Sequence, residues 1–163
     1  MASDIETAAR DGTTPGRGAD YLVVVVGFDG SEPAERALQS AKRLITGRLG
    51  SLVVVFVARV PGTAAMSPSA LGEIRYSLDA EADQIATALP TLLGEERRWR
   101  FLRRDGEAAD QLMAVAREEA SSFGPDASVI VVVGKASSRL HHYLGSVPVG
   151  LVRHECFPVV VVP

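Results

Sequence analysis

Four short runs of valine and related aliphatics, "YLVVVV" (21–26), "SLVVVFV" (51–57), "VIVVV" (129–133) and "VVVV" (159–162), constrain the fold of this chain more than any other feature. β-Branched side chains are stiff at χ1 and pack well on a pleated surface, so each run reads as a strand. None of the four alternates apolar with polar residues. A strand apolar on both sides must be covered on both faces, which is the situation of a parallel sheet between two helical layers. A fifth, weaker candidate, "RWRFLR" (98–103), does alternate and is expected toward an edge.

The intervening segments carry helical periodicity. Ala34, Ala37, Leu38, Ala41, Leu44 and Ile45 recur at spacings of three and four, with Ser31 as the expected cap, Pro33 in the first turn and Gly47 as the stop. Leu71, Ile74, Leu78, Ala82, Ile85, Leu89, Leu92 and Leu93 mark a longer amphipathic helix, and Ala108, Ala109, Leu112, Val115, Ala116 and Ala120 a third. Leu144, Val147, Leu151 and Val152 give a short fourth. The order is β-α-β-α-β-α-β-α-β, and repeated right-handed crossovers of this kind build an open parallel α/β sheet. The 163 residues suit one domain, and with 47% hydrophobic but only 6% aromatic residues its core must be mainly aliphatic.

If the strand order is 3-2-1-4-5, ligands belong at the carboxyl ends of strands one and four, where the order reverses. The two exits there are "GFDGS" (27–31) and "GKASS" (134–138). Asp29 is either a carboxylate for a nucleoside or one that favours the positive pole of the next helix. Gly145 and Ser146, with Pro148 following, offer backbone N–H groups to an anion or form an ordinary N-cap. Segment 59–72, rich in Pro, Gly, Ser and Ala, is a lid or a plain loop. Residues 1–19 have acidic groups and no apolar core, so they are expected to be a flexible tail rather than a signal peptide or membrane span.

Several chemistries are excluded or unsupported. A net charge of −3 gives no broad attraction to nucleic acid, and "EERRWRFLRR" (95–104) reads as a solvated strand edge or helix end. Cys156 stands alone, which rules out an intramolecular disulfide and a Cys-based zinc cluster and fits a reducing, cytoplasmic setting; it reads as a small buried hydrophobe. His141, His142 and His154 lack the spacing and further ligands of a metal site. "GK" at 134–135 is not a Walker A loop, because Val129 and Ala136 stand where its first glycine and its Ser or Thr belong. No GxGxxG follows a strand, and no nucleophile comes with a recognisable base, so catalysis is not expected.

Taken together, "VVVVGFDGSEPAERALQSAKRL", "VVVFVARV", "RRDGEAADQLMAVAREEA" and "VIVVVGKASSRLHHYLGSVPVGLVRHECFPVVVVP" resemble the universal stress protein family over about residues 21–163. The resemblance implies a Rossmann-like sheet of the adenine nucleotide alpha hydrolase-like type in a domain spanning 20–163. It also implies a homodimer joined through the last strands and a cytoplasmic role in stress survival or dormancy. Members divide into ATP binders and non-binders by the pattern G-x2-G-x9-G-[ST]. Gly134 matches its first glycine, and Gly145 with Ser146 its final pair; Ser137 stands at the second glycine, and seven residues rather than nine follow it.

A Cβ at position 137 hinders close approach of backbone to phosphate, although the hydroxyls of Ser137 and Ser138 are partial substitutes. By the resemblance, Asp29 contacts the nucleoside, Phe56 and Val57 line the adenine side, and Gly134, Ser137, Gly145, Ser146 and Val147 surround the phosphates. The implied cofactor is ATP, with or without Mg. Three functions stay open: a nucleotide-responsive regulator, a dimeric protein-interaction module that binds no nucleotide, and an incidental, slow ATP hydrolase.

Overall fold

The computed structural model describes residues 21–60, 67–94, 96, 98–135, 147–153 and 156–163. The expected tail (1–19), most of the loop after the second strand, the three histidines, Ser137, Gly145 and Ser146 lie outside the described residues. In chain order the elements are β1 (Tyr21–Gly27), α1 (Glu32–Ile45), β2 (Gly50–Ala58), α2 (Pro68–Leu93), β3 (Trp99–Asp105), α3 (Ala108–Phe123), β4 (Ala127–Gly134), α4 (Val147–Arg153) and β5 (Val159–Val162). All pairings are parallel and the sheet order is β3-β2-β1-β4-β5, the order expected from the sequence.

The valine runs are buried on both faces, as a sheet between two helical layers requires. Leu22, Val24 and Val26 of β1, with Phe28 just past its end, point into one core layer with Leu52, Val54 and Phe56 of β2, under α1 and α2. Val23, Val25, Val53, Val55 and Val131 point the opposite way, into a layer closed by Leu112, Met113, Val115 and Ala116 of α3 and Leu151 of α4. Tyr21 and Phe123 close the amino end of that layer with a stacked pair, ring centroids 4.6 Å apart.

Local signals act where the sequence places them. Ser31 accepts from the Ala34 N–H and caps α1, and Ser67 accepts from the Ala70 N–H and caps α2. α2 has 26 residues and so runs about 39 Å. Only its second half, through Ala82, Ile85, Leu89 and Leu93, is buried.

Two expectations are corrected. Cys156, just before the short edge strand β5, is exposed, and the Arg117 guanidinium donates to its Sγ at 3.6 Å. The basic stretch does form a strand edge, but its arginines are not simply solvated. Arg103 reaches Asp79 of α2 at 2.8 Å and is only 10% exposed, Arg104 pairs with Glu118 of α3 at 2.7 Å, and Arg100 pairs with Glu119. Alternating along β3, these arginines tie the edge strand to the helices on both faces. They also place charge along an edge that would otherwise invite pairing with another chain.

Candidate functional site

Among the described residues, α1, which follows β1, packs on one face of the sheet and α4, which follows β4, on the other; at a strand pair arranged in this way open α/β sheets take ligands beyond the carboxyl ends. The wall on the α3 side is built from the first turn of that helix. Leu112 packs on Gly27, where a Cβ would lie 3.1 Å from its Cδ1, and Ala109 packs against α4 so closely that a Cβ on Gly150 would meet it at 2.7 Å. Val147, the first residue of α4, joins the same core layer as Val57.

Asp29, at the exit of β1, is exposed and already has work in the fold. One of its carboxylate oxygens accepts both the Ser31 N–H at 3.0 Å and the Ser31 hydroxyl at 2.6 Å, an Asx-type turn that orients the cap of α1. The sequence left open whether Asp29 serves a ligand or the helix; with Oδ1 it serves the helix. The depression that Asp29 lines, about 320 Å³, lies between α1 and α2 with Phe28, Glu35, Glu81, Gln84 and Ile85.

Gly134, at the exit of β4, lies against the start of α1. A Cβ there would fall 2.5 Å from the carbonyl carbon and oxygen of Pro33, a contact with backbone that a side-chain shift cannot relieve. Its neighbour Lys135 donates its N–H to the Val162 carbonyl at 2.7 Å, and the Arg36 Nε donates to the Pro163 carbonyl at 2.8 Å. The β4 exit and α1 are thereby tied to the end of the edge strand.

Phe56 and Val57 are adjacent in sequence, and the strand period sends them to opposite faces. Phe56 is enclosed beneath the α1/α2 layer, whereas Val57 is half-buried on the α3 side with Val147. The structure therefore brings Gly134, Val57 and Val147 to one end of the sheet, with Asp29 at the neighbouring strand exit, and keeps Phe56 in the core.

Sequence reasoning missed two residues at this rim. Arg59, just past β2, pairs at 2.9 Å with Glu107, the residue before α3, and both side chains are about half exposed. Glu107 occupies the N-cap position yet makes no side-chain capping bond. Glu is a poor capper compared with Asp, Asn, Ser or Thr, and that mismatch in "DGE" (105–107) is the signal that was available. Elsewhere, Glu119 is 2% exposed on the inner stripe of α3; burial pushes its carboxyl up from the ordinary value, against the charge and hydrogen bond of Arg100. Among the described residues, no group of three or more His, Cys, Asp or Glu stands together as a metal site, and no helix is long and apolar enough to cross a membrane.

The family model of the universal stress protein family matches residues 20–163. Among solved structures, the universal stress protein UspA from Lactobacillus plantarum is similar at a TM-score of 0.69 and 20% identity, over 90% of this chain and 100% of that one. A universal stress protein family member from Burkholderia pseudomallei is 27% identical, with a TM-score of 0.56, over 86% of this chain and 95% of that one. A universal stress protein in complex with cAMP is 23% identical, with a TM-score of 0.52, over 87% and 97% of the two chains. The search among curated proteins returned no match. With a family model spanning the whole sheet and its helices, and with the parallel 3-2-1-4-5 order in place, this chain belongs to the universal stress protein family.

Proposed function

We propose that this protein is a regulator of stress response that binds an adenine nucleotide, ATP in the first place, in the crevice between the exits of β1 and β4. One observation carries the reading: α1 and α4 leave adjacent strands toward opposite faces. Asp29 stands beside one exit, and Gly134 and Val147 flank the other. That is the place where open α/β sheets take ligands. In this reading Ser137, Gly145 and Ser146 complete the phosphate side, Val57 lines the base side, and Mg accompanies the phosphates. The cAMP complex of the 23% identical protein supports an adenine nucleotide as the class of ligand. The protein acts by binding rather than by catalysis, in the cytoplasm, and any hydrolysis of ATP is slow and incidental.

The working unit is a homodimer joined through β5. Among the described residues the outer edge of β5 has no strand beside it in the sheet, and Val160 and Val161 are exposed on its two sides. Pairing with its own copy about a two-fold axis satisfies both edges at once.

A second reading, a dimeric interaction module without nucleotide, is favoured by two particular contacts. The cap made by Asp29 and the seat of Pro33 on Gly134 explain both residues without any ligand. Isothermal titration of the purified protein with Mg-ATP, beside a denatured sample assayed for nucleotide carried through purification, separates the two. Saturable binding or released ATP is the expected result; silence in both sinks the nucleotide reading and leaves the interaction module.

A further inference from the structure

Glu81, Gln84, Ala88 and Leu92 follow one another at spacings of three and four, so they form one flank of α2, and that flank borders the depression of about 320 Å³ between α1 and α2. Its floor is apolar. Phe28 and Ile85 are buried beneath it, and Ala88 with the half-buried Leu92 extends the surface along α2. Its rim is acidic, with Asp29 beside the start of α1, Glu35 on α1 and Glu81 on α2, all three exposed. Among the described residues none of these carboxylates has an ion-pair partner. Arg36, the neighbour of Glu35, is taken up by Glu32 and the Pro163 carbonyl. The Gln39 amide donates to the Leu92 carbonyl at 3.3 Å and ties the two helices together beside the depression.

This charge is spread around a rim rather than gathered at a point. Among the described residues no three acidic groups stand together as a metal site, and three carboxylates disfavour any anion. What fits is a cation on an apolar stem, the chemistry of a lysine or arginine side chain, whose methylenes cover apolar surface while the head stays wet. Small-molecule sites bury most of their ligand, whereas here Ala88 on the floor is itself exposed, so the shape is that of a shallow groove. The field around it has one sign: α2 carries Glu73, Asp79, Glu81 and Asp83 against Arg75 alone.

We propose that the groove between α1 and α2 docks a basic segment of a partner protein. A lysine or arginine stem lies over Phe28 and Ile85, and its head sits among Asp29, Glu35 and Glu81. The docking does not depend on a nucleotide at the β1 and β4 exits.

The test is fluorescence anisotropy of the full chain with a short dye-labelled peptide of lysine, alanine and serine. A matching peptide with glutamate for lysine serves as control, and unlabelled spermidine as competitor. The lysine peptide should bind saturably and weaken as salt rises, and the glutamate peptide should not bind. Glu35→Gln should weaken the lysine peptide about two- to fivefold, and Glu81→Lys, which reverses the charge, by at least about fivefold. Asp83→Lys makes the same change of charge about half a turn round α2, off the groove, and should leave binding within about twofold. Ala88→Trp fills the floor without changing charge and should also weaken the peptide. All four positions are exposed, so each free variant should keep the melting temperature of the parent. No saturable binding of the lysine peptide, or equal losses in Glu81→Lys and Asp83→Lys, overturns the proposal. Spermidine that competes as tightly as the peptide binds overturns a protein segment as the occupant.

Discussion

Replacing Arg100 with methionine isolates the one buried carboxylate described in this protein. Glu119 is 2% exposed, faces β3 from the inner stripe of α3, and has Arg100 as its hydrogen-bonding partner. Arg100 is itself one-third exposed, so its head group is partly solvated while its partner is not. Methionine keeps most of the apolar stem and removes the charge. Stripping one partner from a buried pair costs about 3–5 kcal/mol, because the remaining charge stays desolvated without compensation. That is a large share of the 5–15 kcal/mol typical of a whole domain.

The pH dependence distinguishes this cause from lost packing. Burial already holds the Glu119 carboxyl above its ordinary value of 4.5. A carboxyl whose pKa is raised on folding contributes stability in acid that is lost as pH climbs from the unfolded value through the folded one. Without Arg100 the folded value rises further, so the loss continues to higher pH. The deficit of Arg100→Met against the parent should therefore be largest near pH 7.5 and shrink toward pH 5, by up to about 1.4 kcal/mol per pH unit inside the window. Urea unfolding followed by circular dichroism at several pH values and one protein concentration gives the numbers directly. The double variant Arg100→Met with Glu119→Leu should recover most of the loss at neutral pH. A deficit below about 1 kcal/mol, or one that is flat with pH, refutes this account of the pair.

Three other outcomes follow from single contacts. Gly134→Ala should lower stability by about 1–3 kcal/mol in protein freed of nucleotide, since its Cβ meets the Pro33 backbone; an unchanged thermal midpoint contradicts that steric account. Asp29→Ala should cost about 1 kcal/mol through the lost Ser31 bonds, and Asp29→Asn, which keeps an acceptor oxygen, should recover much of it in the same unfolding assay. If the proposed dimer forms through β5, Val161→Lys on the exposed edge strand should convert it to monomer in sedimentation velocity at micromolar concentration; a parent that already sediments as a monomer, or an unshifted coefficient in the variant, contradicts that proposal.

The strands were readable because each valine run needs cover on both faces, and the parallel sheet followed from a chain in which four helices alternate with five strands. What depended on side-chain partners from distant segments was not readable. Phe56 and Val57 looked like one feature because they are neighbours in sequence, whereas their faces are opposite. The arginines of β3 looked solvated because Asp79, Glu118 and Glu119 come from two helices, and only the folded chain brings these to the edge. Glu119 itself was open to detection: it follows Leu112, Val115 and Ala116 at helical spacing, so a charged residue was written into an apolar stripe. Cys156 was misplaced because residue type predicts burial only where another layer exists to cover it.

Asp29 and Gly134 show why a motif residue in the right place does not by itself report a ligand. Both sit at the exits where a nucleotide is expected, and both have a role in the fold itself, one as an acceptor that sets the cap of α1 and the other as the gap that admits Pro33. Substituting either changes stability and any affinity together, since a ligand that binds the native state alone links the two. A clean measure of recognition has to come from side chains that the fold does not need. A change in affinity in a variant whose free protein keeps the parent's melting temperature has no explanation in the stability of the fold.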